Sequence, residues 1–443
     1  MSLNRRDFVA SVGLSLVGGA AVAREAVTVP AVDGSSDWAA VKAQFDLLSP
    51  DLLHFSQFFI VSHPKPVRAA IERYRSRIDA NPFATVDYGM GFANDGSGEL
   101  PFPVQVQQAA AAYVGARAEE IALTDSTTQG LALVYHGLTL KPGDEILCTT
   151  HDHFVHHESI RLAAEKSGAT HRRVPLYGDP AKATIEEMVE NLRRAIGPYT
   201  RVLGITWVHS STGVKIPVRA LTDVVAEVNA GRGKDERILV VLDAVHGFGN
   251  QGEQIAHLGA DFVAAGTHKW IFAPRGTGIL WVPERNWGRI RPTIPTFYDA
   301  ETYAAWEDER PPRAPTSISW VSPGGFKAYE HQWAMPSAFD FHGRIGRQRI
   351  AERIAALNTQ CKEGLAKIPR VKVLTPKMPV LSAGIIAFEV EGQTAGETVH
   401  KLHARKVIAS TSPYKLTKAR LAPSLVNDER EVDAALRAVR EIA

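Results

Sequence analysis

The chain has 443 residues, of which 45% are hydrophobic and 22% are charged, an ordinary balance for a globular protein with a large core. A formal net charge of +2 gives no reason to expect nucleic acid or an anionic membrane as a partner. Two cysteines, Cys148 and Cys361, both in apolar surroundings, exclude a disulfide framework.

Residues 1–23 have the pattern of an export signal. Arg5 and Arg6 precede an apolar, Gly- and Ala-rich run, and Ala21 to Ala23 form a small-x-small cleavage pattern. The run is too short for a stable transmembrane span, so we expect no membrane attachment of the mature form. We predict export of the folded protein by the twin-arginine (Tat) machinery to the periplasm; the alternative is a chance arginine pair before a flexible apolar tail.

The next segments are predicted to lie beside the main sheet. Trp38–Leu53 has the pattern of an amphipathic helix, Leu53–Phe59 that of a short extended segment, and His63–Val67 opens another helix. Asn81–Gly98 is rich in Gly, Asn and Asp, which predicts a loop. Loops of this length in compact domains are often functional, so we expect it to contact the substrate.

A strand, a polar turn and a helix follow in Ile121–Thr124, Asp125–Gly130 and the residues to about Thr139. Free backbone N–H groups, hydroxyls and the positive end of a helix dipole converge at such a turn, which suits a phosphate group. The alternative is a helix N-cap by Ser or Thr with no ligand.

A histidine-rich segment follows the next predicted strand, Asp144–Thr149. Residues 151–157 contain four histidines, which suggests a metal site, but no motif of fixed geometry such as HExxH is present. We therefore predict no metal there. Arg201–Val208 is another predicted strand, and the polar residues His209–Gly213 follow it.

The central stretch of the chain contains three short apolar runs, Ile238–Leu242, Phe262–Ala265 and Ile279–Val282. Each is too short for a helix and reads as a buried strand. Asp243 ends the first run, and Lys269 follows the second. Ligands gather at strand ends in open α/β sheets, so this carboxylate and this amine are expected at neighbouring strand ends.

Pyridoxal phosphate catalysis requires such a pair. A lysine forms a Schiff base with the cofactor aldehyde, and a carboxylate keeps the pyridine nitrogen protonated so that the ring accepts electrons. Lys269 and Asp243 are the candidates. The alternative is an ordinary α/β core with a buried ion pair.

The C-terminal part is predicted to begin with an irregular Pro- and Arg-rich arm, from after Val282 to about Pro315. A long helical pattern then runs from Ser322 to about Lys367, broken or kinked near Pro336. The remaining predicted elements are the strands Val371–Leu374, Gly384–Val390 and Val407–Ala409 and the helices Thr394–Lys406 and Glu429–Ile442.

The sequences DAVHG at 243–247 and GTHKWIFAPRGTGILWV at 266–282 resemble the class V aminotransferase family of fold-type I pyridoxal phosphate enzymes. THKW, APRG and LW are closer to its isopenicillin N epimerase-like branch. The resemblance implies that Lys269 carries the Schiff base and Asp243 pairs with the pyridinium. It also implies that His246 contacts the ring oxygen and that His268 contacts the phosphate or the ring.

The same resemblance assigns roles to residues outside the central stretch. Thr127 and Thr128 become phosphate ligands, and Ser210 stands where cysteine desulfurases place an asparagine of the cofactor site. His153 is expected to stack on the pyridine face, with His151 as the second choice.

Two further assignments concern the substrate and the partner subunit. Arg420 is expected to hold the substrate α-carboxylate by a bidentate fork, the alternative being a solvated arginine on an edge strand. Ser322 is expected to reach the phosphate bound by the other subunit, which implies a homodimer.

The chain departs from the family pattern at two places. Gln57, Phe58 and Phe59 replace glycines of a segment that lines the substrate pocket, which predicts a more apolar or narrower mouth. The loop from Ser410 to Thr417 has no cysteine, whereas desulfurases need a mobile thiolate there. This argues against a desulfurase.

The resemblance implies an α/β protein of PLP-dependent transferase fold type I. The expected division is a mostly parallel seven-stranded large domain at 71–325 and a smaller α/β domain made of 24–70 and 326–443. The expected activity is that of an aminotransferase or epimerase acting on an amino acid, or on a peptide or metabolite that bears one, similar to exported enzymes of periplasmic pyoverdine maturation. A C–S lyase and a non-catalytic metal-binding periplasmic protein are the alternatives.

Overall fold

The computed structural model describes residues 37–94 and 96–443. The predicted export signal, residues 1–23, lies outside the described residues. Within the described part, no helix is long and apolar enough to cross a membrane.

The strands, in chain order, are β1 (Leu53–His54), β2 (Ile121–Thr124), β3 (Glu145–Thr149), β4 (Thr170–Val174), β5 (Thr200–Thr206), β6 (Leu239–Asp243), β7 (Phe262–Gly266), β8 (Gly278–Trp281), β9 (Val371–Val373), β10 (Ile386–Val390), β11 (Val407–Ile408), β12 (Ser410–Thr411) and β13 (Ala419–Leu421).

The α-helices are α1 (Trp38–Lys42), α2 (Lys65–Ala80), α3 (Pro82–Gly89), α4 (Phe102–Val114), α5 (Thr127–Gly137), α6 (Phe154–Ser167), α7 (Ile185–Ala195), α8 (Val218–Ala230), α9 (Ala300–Glu307), α10 (Tyr329–Trp333), α11 (Met335–Ile345), α12 (Arg347–Ala366), α13 (Ala395–Ala404) and α14 (Glu429–Ile442).

The large domain is built on a seven-stranded sheet of order β2-β8-β7-β6-β5-β3-β4. Strand β8 is antiparallel to both of its neighbours, and the pairs from β7 to β4 are parallel. Its central strands are buried apolar runs because helices cover both faces. The predicted fold class, a mostly parallel seven-stranded α/β domain of fold type I, is confirmed.

Alternate residues of β6 enter different cores. Val240 and Leu242 pack in a core with residues of α4, α7 and α8, whereas Val241 packs in another with residues of α5 and α6. This is the period of two that a strand imposes on its side chains. Asp243, at the end of β6, lines a cavity together with Arg420 of the small domain.

The small domain combines chain segments that are far apart in sequence. Strands β12, β13, β10 and β9 form an antiparallel sheet, with a core shared by α12, α13 and α14. Strand β1 pairs in parallel with β11, where Leu53 faces Val407. The predicted division at residue 70 falls within α2, whose Val67 packs in the large-domain core.

Three predicted segments differ from the structure in their helices. The segment Asn81–Gly98, predicted as a loop, contains α3, which is capped by the Asn81 side chain and has a proline in its first turn. The predicted irregular arm after Val282 contains α9, capped by Asp299. The predicted helix from Trp38 to Leu53 leaves the α-helical form after Lys42.

The predicted long helix from Ser322 is divided into α10, α11 and α12. The break near Pro336 was expected, because a proline within a helix removes a hydrogen bond. The second break, at Gly346, has φ of 96°, a conformation that favours glycine and cannot continue a helix.

Candidate active site

A cavity of about 560 Å³ lies between the strand ends of the large sheet and the loop that begins at β12. Its lining includes all of the predicted site residues except Ser322 and His151. These are Thr127, Thr128, His153, Ser210, Asp243, His246, His268, Lys269 and Arg420. They come from separate parts of the sequence, and the sheet topology brings them together.

Asp243 ends β6 and is 1% exposed. Its Oδ1 accepts a hydrogen bond of 3.0 Å from the backbone N–H of Val245, which fixes the carboxylate. Burial raises the pKa of Asp243 to about 6, and the nearby Lys269 amine opposes that rise. A carboxylate in such surroundings gains from a positively charged partner, as a protonated pyridine would be.

Lys269 follows β7 and directs its amine into the same cavity. Its Nζ lies 3.5 Å from Nε2 of His246. Burial lowers the pKa of Lys269 to about 8, with the Arg420 charge adding to the effect and Asp243 opposing it. A larger share of the amine is therefore neutral near pH 7 than in an ordinary lysine, which makes it a better nucleophile toward an aldehyde.

The N-terminus of α5 forms one wall of the cavity. Ser126 caps the helix by accepting from the Gln129 N–H at 3.1 Å, and the Thr127 hydroxyl accepts from the Gly266 N–H at 2.7 Å. Thr128, the next residue, is exposed. Uncommitted N–H groups of a first helical turn and a hydroxyl beside them suit an anion such as phosphate.

His268 and Gly266 complete this wall. Nδ1 of His268 donates to the Thr277 carbonyl at 3.0 Å, which leaves Nε2 for another partner. A Cβ on Gly266 would lie 2.9 Å from the His268 ring and 3.2 Å from the Thr127 hydroxyl, so only glycine fits between them. The wall is closely packed on the protein side and open toward the cavity.

The two candidate stacking histidines have different surroundings. His151 stacks on Tyr177, with ring centroids 3.9 Å apart and an interplanar angle of 8°. His153 lines the cavity and caps α6, where it accepts from the Val155 N–H at 3.4 Å. Because one face of His151 is stacked on Tyr177 and only His153 of the two lines the cavity, the geometry favours His153 as the group that faces a bound ring.

Arg420 lies on β13 and is 4% exposed. It donates to the carbonyls of Ser210, at 2.9 Å, and of Thr411, at 2.7 Å. Its Nε is buried and has no hydrogen-bond partner. Burial lowers the pKa of Arg420 to about 10, which still leaves it charged at neutral pH. The side chain is not a solvated arginine on an edge strand, and its free donors can serve a ligand carboxylate.

Ser322 lies apart from the cavity. It is fully buried, and its hydroxyl accepts from the Leu123 N–H at 2.9 Å. A hydroxyl enclosed within its own chain cannot reach a phosphate in another subunit, so the geometry does not support the role expected for Ser322. It instead ties the segment before α10 to β2.

Phe58 and Phe59, which replace family glycines in the predicted pocket segment, line the cavity, whereas Trp270 and Tyr414, which contact cavity residues, were not assigned from the sequence. The Phe58 ring lies edge-on to His246, with centroids 5.7 Å apart. The Trp270 indole N–H donates to Nδ1 of His246 at 3.3 Å. Tyr414 shares a 2.8 Å hydrogen bond with the Ser210 hydroxyl. For Trp270 the only signal in the sequence was its position directly after the lysine, and the Tyr414 contact depends on the tertiary fold.

The histidine-rich segment contributes to a buried cluster of Cys148, Asp152 and His157, whose potential ligand atoms lie within 4.8 Å of one another. His157 Nε2 donates to the Thr149 carbonyl at 2.8 Å. Burial raises the pKa of Cys148 to about 12 and that of Asp152 to about 7. Burial thus favours the neutral thiol and acid, whereas a metal ion requires their charged forms.

The donor set of the cavity fits pyridoxal phosphate. An activated lysine, a buried carboxylate and an anion-binding helix N-terminus face one space. In the wall of this space, any residue larger than Gly266 would collide with His268 and Thr127. Lys269 would hold the aldehyde carbon, Asp243 the pyridine nitrogen, and Thr127 with Thr128 the phosphate. These residue roles stay predictions.

Comparison with known proteins agrees with this geometry. The family model of Aminotransferase class-V matches residues 103–414. Isopenicillin N epimerase of Amycolatopsis lactamdurans is 29% identical over 283 residues, covering 63% of this chain and 69% of that protein. Isopenicillin N epimerase of Streptomyces clavuligerus is 25% identical over 415 residues, covering 90% and 96%.

Among solved structures, the complex of the cystine C-S lyase C-DES with its reaction product cysteine persulfide has a TM-score of 0.77 at 22% identity. The similarity covers 90% of this chain and 99% of that one, and it establishes the fold. Because the family model matches most of the chain, the chain belongs to the class V aminotransferase family of pyridoxal phosphate-dependent enzymes.

Proposed function

We propose that the protein acts on the α-carbon of an amino acid, or of a peptide or metabolite that bears one, in the periplasm. The observation that carries the proposal is the convergence of Lys269, Asp243 and Arg420 on one cavity. Each group serves a different part of the chemistry: covalent attachment of the cofactor, charge at the pyridine nitrogen, and recognition of a carboxylate.

Bound pyridoxal phosphate supplies a protonated ring that accepts an electron pair from a carbon next to the amine. The chain contributes the rest. Arg420 orients the substrate through its carboxylate, and the Asp243 carboxylate stabilises positive charge on the ring nitrogen. The Lys269 amine, whose pKa is lowered to about 8, takes a proton from Cα and returns it.

The reaction type is proposed to be epimerisation or transamination. Support comes from the similarity to the two isopenicillin N epimerases over much of the chain. A desulfurase mechanism needs a thiolate at the cavity, and both cysteines are buried with the pKa of each raised to about 12.

A second candidate is a C–S lyase, because β-elimination needs no mobile cysteine and the fold matches the C-DES structure. The two candidates give different products. A panel of amino acids would be incubated with the holoenzyme, and the mixture assayed for the opposite enantiomer, for 2-oxo acids, and for sulfide with pyruvate. Sulfide from cysteine or cystine without enantiomer or amino-group transfer would replace the first candidate with the second.

The assignment of the lysine has a direct test. Borohydride reduction of the purified holoenzyme followed by peptide mapping is expected to place the cofactor on Lys269, and Lys269→Ala is expected to lose the borohydride-sensitive visible band. Lys367→Ala, at an exposed lysine, is the control. A protein that stays colourless in the presence of added pyridoxal phosphate would refute the proposal.

We further propose a homodimer. Phe92, Phe297 and Phe326 form an aromatic cluster on the surface, with adjacent centroids 6.4 and 6.0 Å apart and exposures of 42%, 43% and 77%. Exposed apolar patches of this kind mark interaction sites. Sedimentation of the wild type and of Phe326→Ser tests the dimer; a wild-type monomer would exclude it.

The periplasmic location is proposed from the Arg5-Arg6 pattern and the cleavage pattern that follows it. Replacement of both arginines by lysine is expected to keep the protein in the cytoplasm. Cell fractionation with and without the replacement measures this. An unchanged distribution would show that the arginine pair does not direct export.

A further inference from the structure

The buried hydrogen bond between Trp270 and His246 determines which nitrogen of the histidine carries the proton. An indole N–H can only donate, so Nδ1 of His246, at 3.3 Å, must accept. In a neutral imidazole the proton is then on Nε2. We propose that Trp270 is a positioning residue that fixes His246 as a hydrogen-bond donor toward the Lys269 amine and the cofactor.

The surroundings keep the imidazole neutral. His246 is 6% exposed, and burial lowers its pKa well below the ordinary value, with the charges of Lys269 and Arg420 acting in the same direction. The doubly protonated ring would also place an Nδ1–H against the Trp270 N–H, two donors facing one another. The Nε2–H form is therefore the one that satisfies both rings.

Packing fixes the orientation of the two rings. The Phe58 ring lies edge-on to His246 at 5.7 Å and stacks on Trp270 at 6.3 Å with an interplanar angle of 22°. On another side of the indole, a Cβ at Gly384 would lie 2.5 Å from Cη2 of Trp270. Phe58 contacts both rings of the hydrogen-bonded pair, and the indole N–H between them determines which tautomer of His246 is satisfied.

The proton on Nε2 affects the lysine. Nε2 lies 3.5 Å from Nζ of Lys269, and an N–H at that position favours an amine with a free lone pair over an ammonium group. Trp270 thus favours the nucleophilic form of Lys269 through His246. Once the amine is bonded to the cofactor, the same N–H is available to an acceptor on the bound ring. This consequence rests on the proposed function; the tautomer does not.

The tautomer is measured on the cofactor-free protein labelled with ¹⁵N-histidine. Long-range ¹H–¹⁵N correlation distinguishes the two neutral forms, and His246→Gln identifies the signal. The wild type is expected to show the Nε2–H form alone, and Trp270→Phe a mixture with Nδ1–H. A wild-type Nδ1–H form, or a Trp270→Phe spectrum unchanged at His246, would overturn the proposal; the wild-type result is decisive even if the variant does not fold.

A second measurement distinguishes this positioning role from misfolding of the variant. Pyridoxal phosphate is mixed with the cofactor-free protein and its attachment is followed by absorbance. Trp270→Phe is expected to be at least about threefold slower than the wild type at pH 7 and equal to it at pH 10, where the amine is neutral in both. The other groups that interact with the amine, namely Asp243, Arg420, His153 and His268, remain in both proteins.

Trp287→Phe is the matched control, because the Trp287 indole is also buried and donates to the Val282 carbonyl at 2.9 Å. It is expected to attach the cofactor at the wild-type rate at both pH values. A Trp270→Phe rate that is reduced equally at pH 7 and pH 10 would indicate misfolding and refute the positioning role. Failure of all proteins to attach the cofactor would refute the proposed function and leave the tautomer result standing.

Discussion

The guanidinium carbon of Arg420 lies 4.8 Å from the centroid of the Phe58 ring. A buried cation over an aromatic face is stabilised by the ring's quadrupole. The two carbonyls that Arg420 contacts use one N–H of each terminal nitrogen, so Nε–H and a neighbouring N–H remain for a carboxylate. Phe58 thus stabilises the Arg420 guanidinium by contact with its ring, at a position where the family pattern has small residues.

Arg420→Lys is expected to weaken substrate binding without releasing the cofactor. Loss of the planar donor set removes charge-assisted hydrogen bonds of roughly 1.5–3 kcal/mol, which raises KM by about 10- to 100-fold. Steady-state kinetics measure the change. An amine without the carboxylate is the control, since its KM should be unaffected; an equal rise for both compounds would contradict carboxylate recognition.

Asp243→Asn is expected to change how the stability of the cofactor-free protein depends on pH. The folded-state pKa of about 6 lies above that of the unfolded chain, so the folded state binds more protons between about pH 4 and pH 6. As pH rises through that range, the wild type therefore loses on the order of 2 kcal/mol more stability than the variant, which lacks this one titrating carboxylate. Urea unfolding at pH 4 and pH 7 measures the difference, and parallel profiles would contradict the raised pKa.

Lys362→Met is expected to destabilise the small domain and leave the active site functional. The buried Lys362 amine donates to the Pro376 carbonyl at 2.8 Å, the Lys377 carbonyl at 3.1 Å and the Ser382 hydroxyl at 2.6 Å. Leaving these acceptors without a donor costs roughly 2–4 kcal/mol.

The urea midpoint of Lys362→Met, compared with that of Lys367→Met at an exposed lysine, measures the cost.

Burial lowers the pKa of Lys362 to about 8, as it does for Lys269, so this lysine also tests whether amine pKa alone directs cofactor attachment. Cofactor mapped to Lys362 in the wild type would show that the cavity does not select its lysine.

Gly213→Ala is expected to disturb the contact between the two domains. Gly213 has φ of 72°, and a Cβ there would lie 2.2 Å from the Ile385 carbonyl oxygen and 2.6 Å from the Thr375 hydroxyl. The left-handed conformation and the collision together cost at least about 3 kcal/mol. Gly143→Ala, with φ of 92° and open space around it, isolates the conformational part, about 1 kcal/mol. Equal midpoints in thermal unfolding would contradict the close packing.

The main sheet could be predicted from sequence because its strands are short apolar runs that end in polar residues. Asp243 and Lys269 were found at strand ends for that reason, and the topology places them in one cavity. Helix α3 was missed because its segment is rich in turn-forming residues, although Asn81 followed by Pro82 is itself a helix-start signal.

The contacts of other residues could not be predicted from the sequence because they depend on packing between distant segments. Trp270 lies next to Lys269 in sequence, but its hydrogen bond to His246 follows from the turn that packs it there. Tyr414 reaches Ser210 across 204 positions. Ser322 matched a family position, yet its hydroxyl is committed to Leu123, which a pattern of residue types cannot reveal.

The pairing of β1 with β11 joins segments that are far apart in the sequence. The Ser56 hydroxyl donates to the Ile408 carbonyl at 3.1 Å, and these residues are 352 positions apart. Contacts over such separations require closing a very long loop and form slowly. Phe58 lies just after β1, so its ring cannot contact the Arg420 guanidinium until this loop has closed. We therefore expect the substrate side of the cavity to form late in folding, after the local strand–turn–helix unit that is predicted to receive the phosphate.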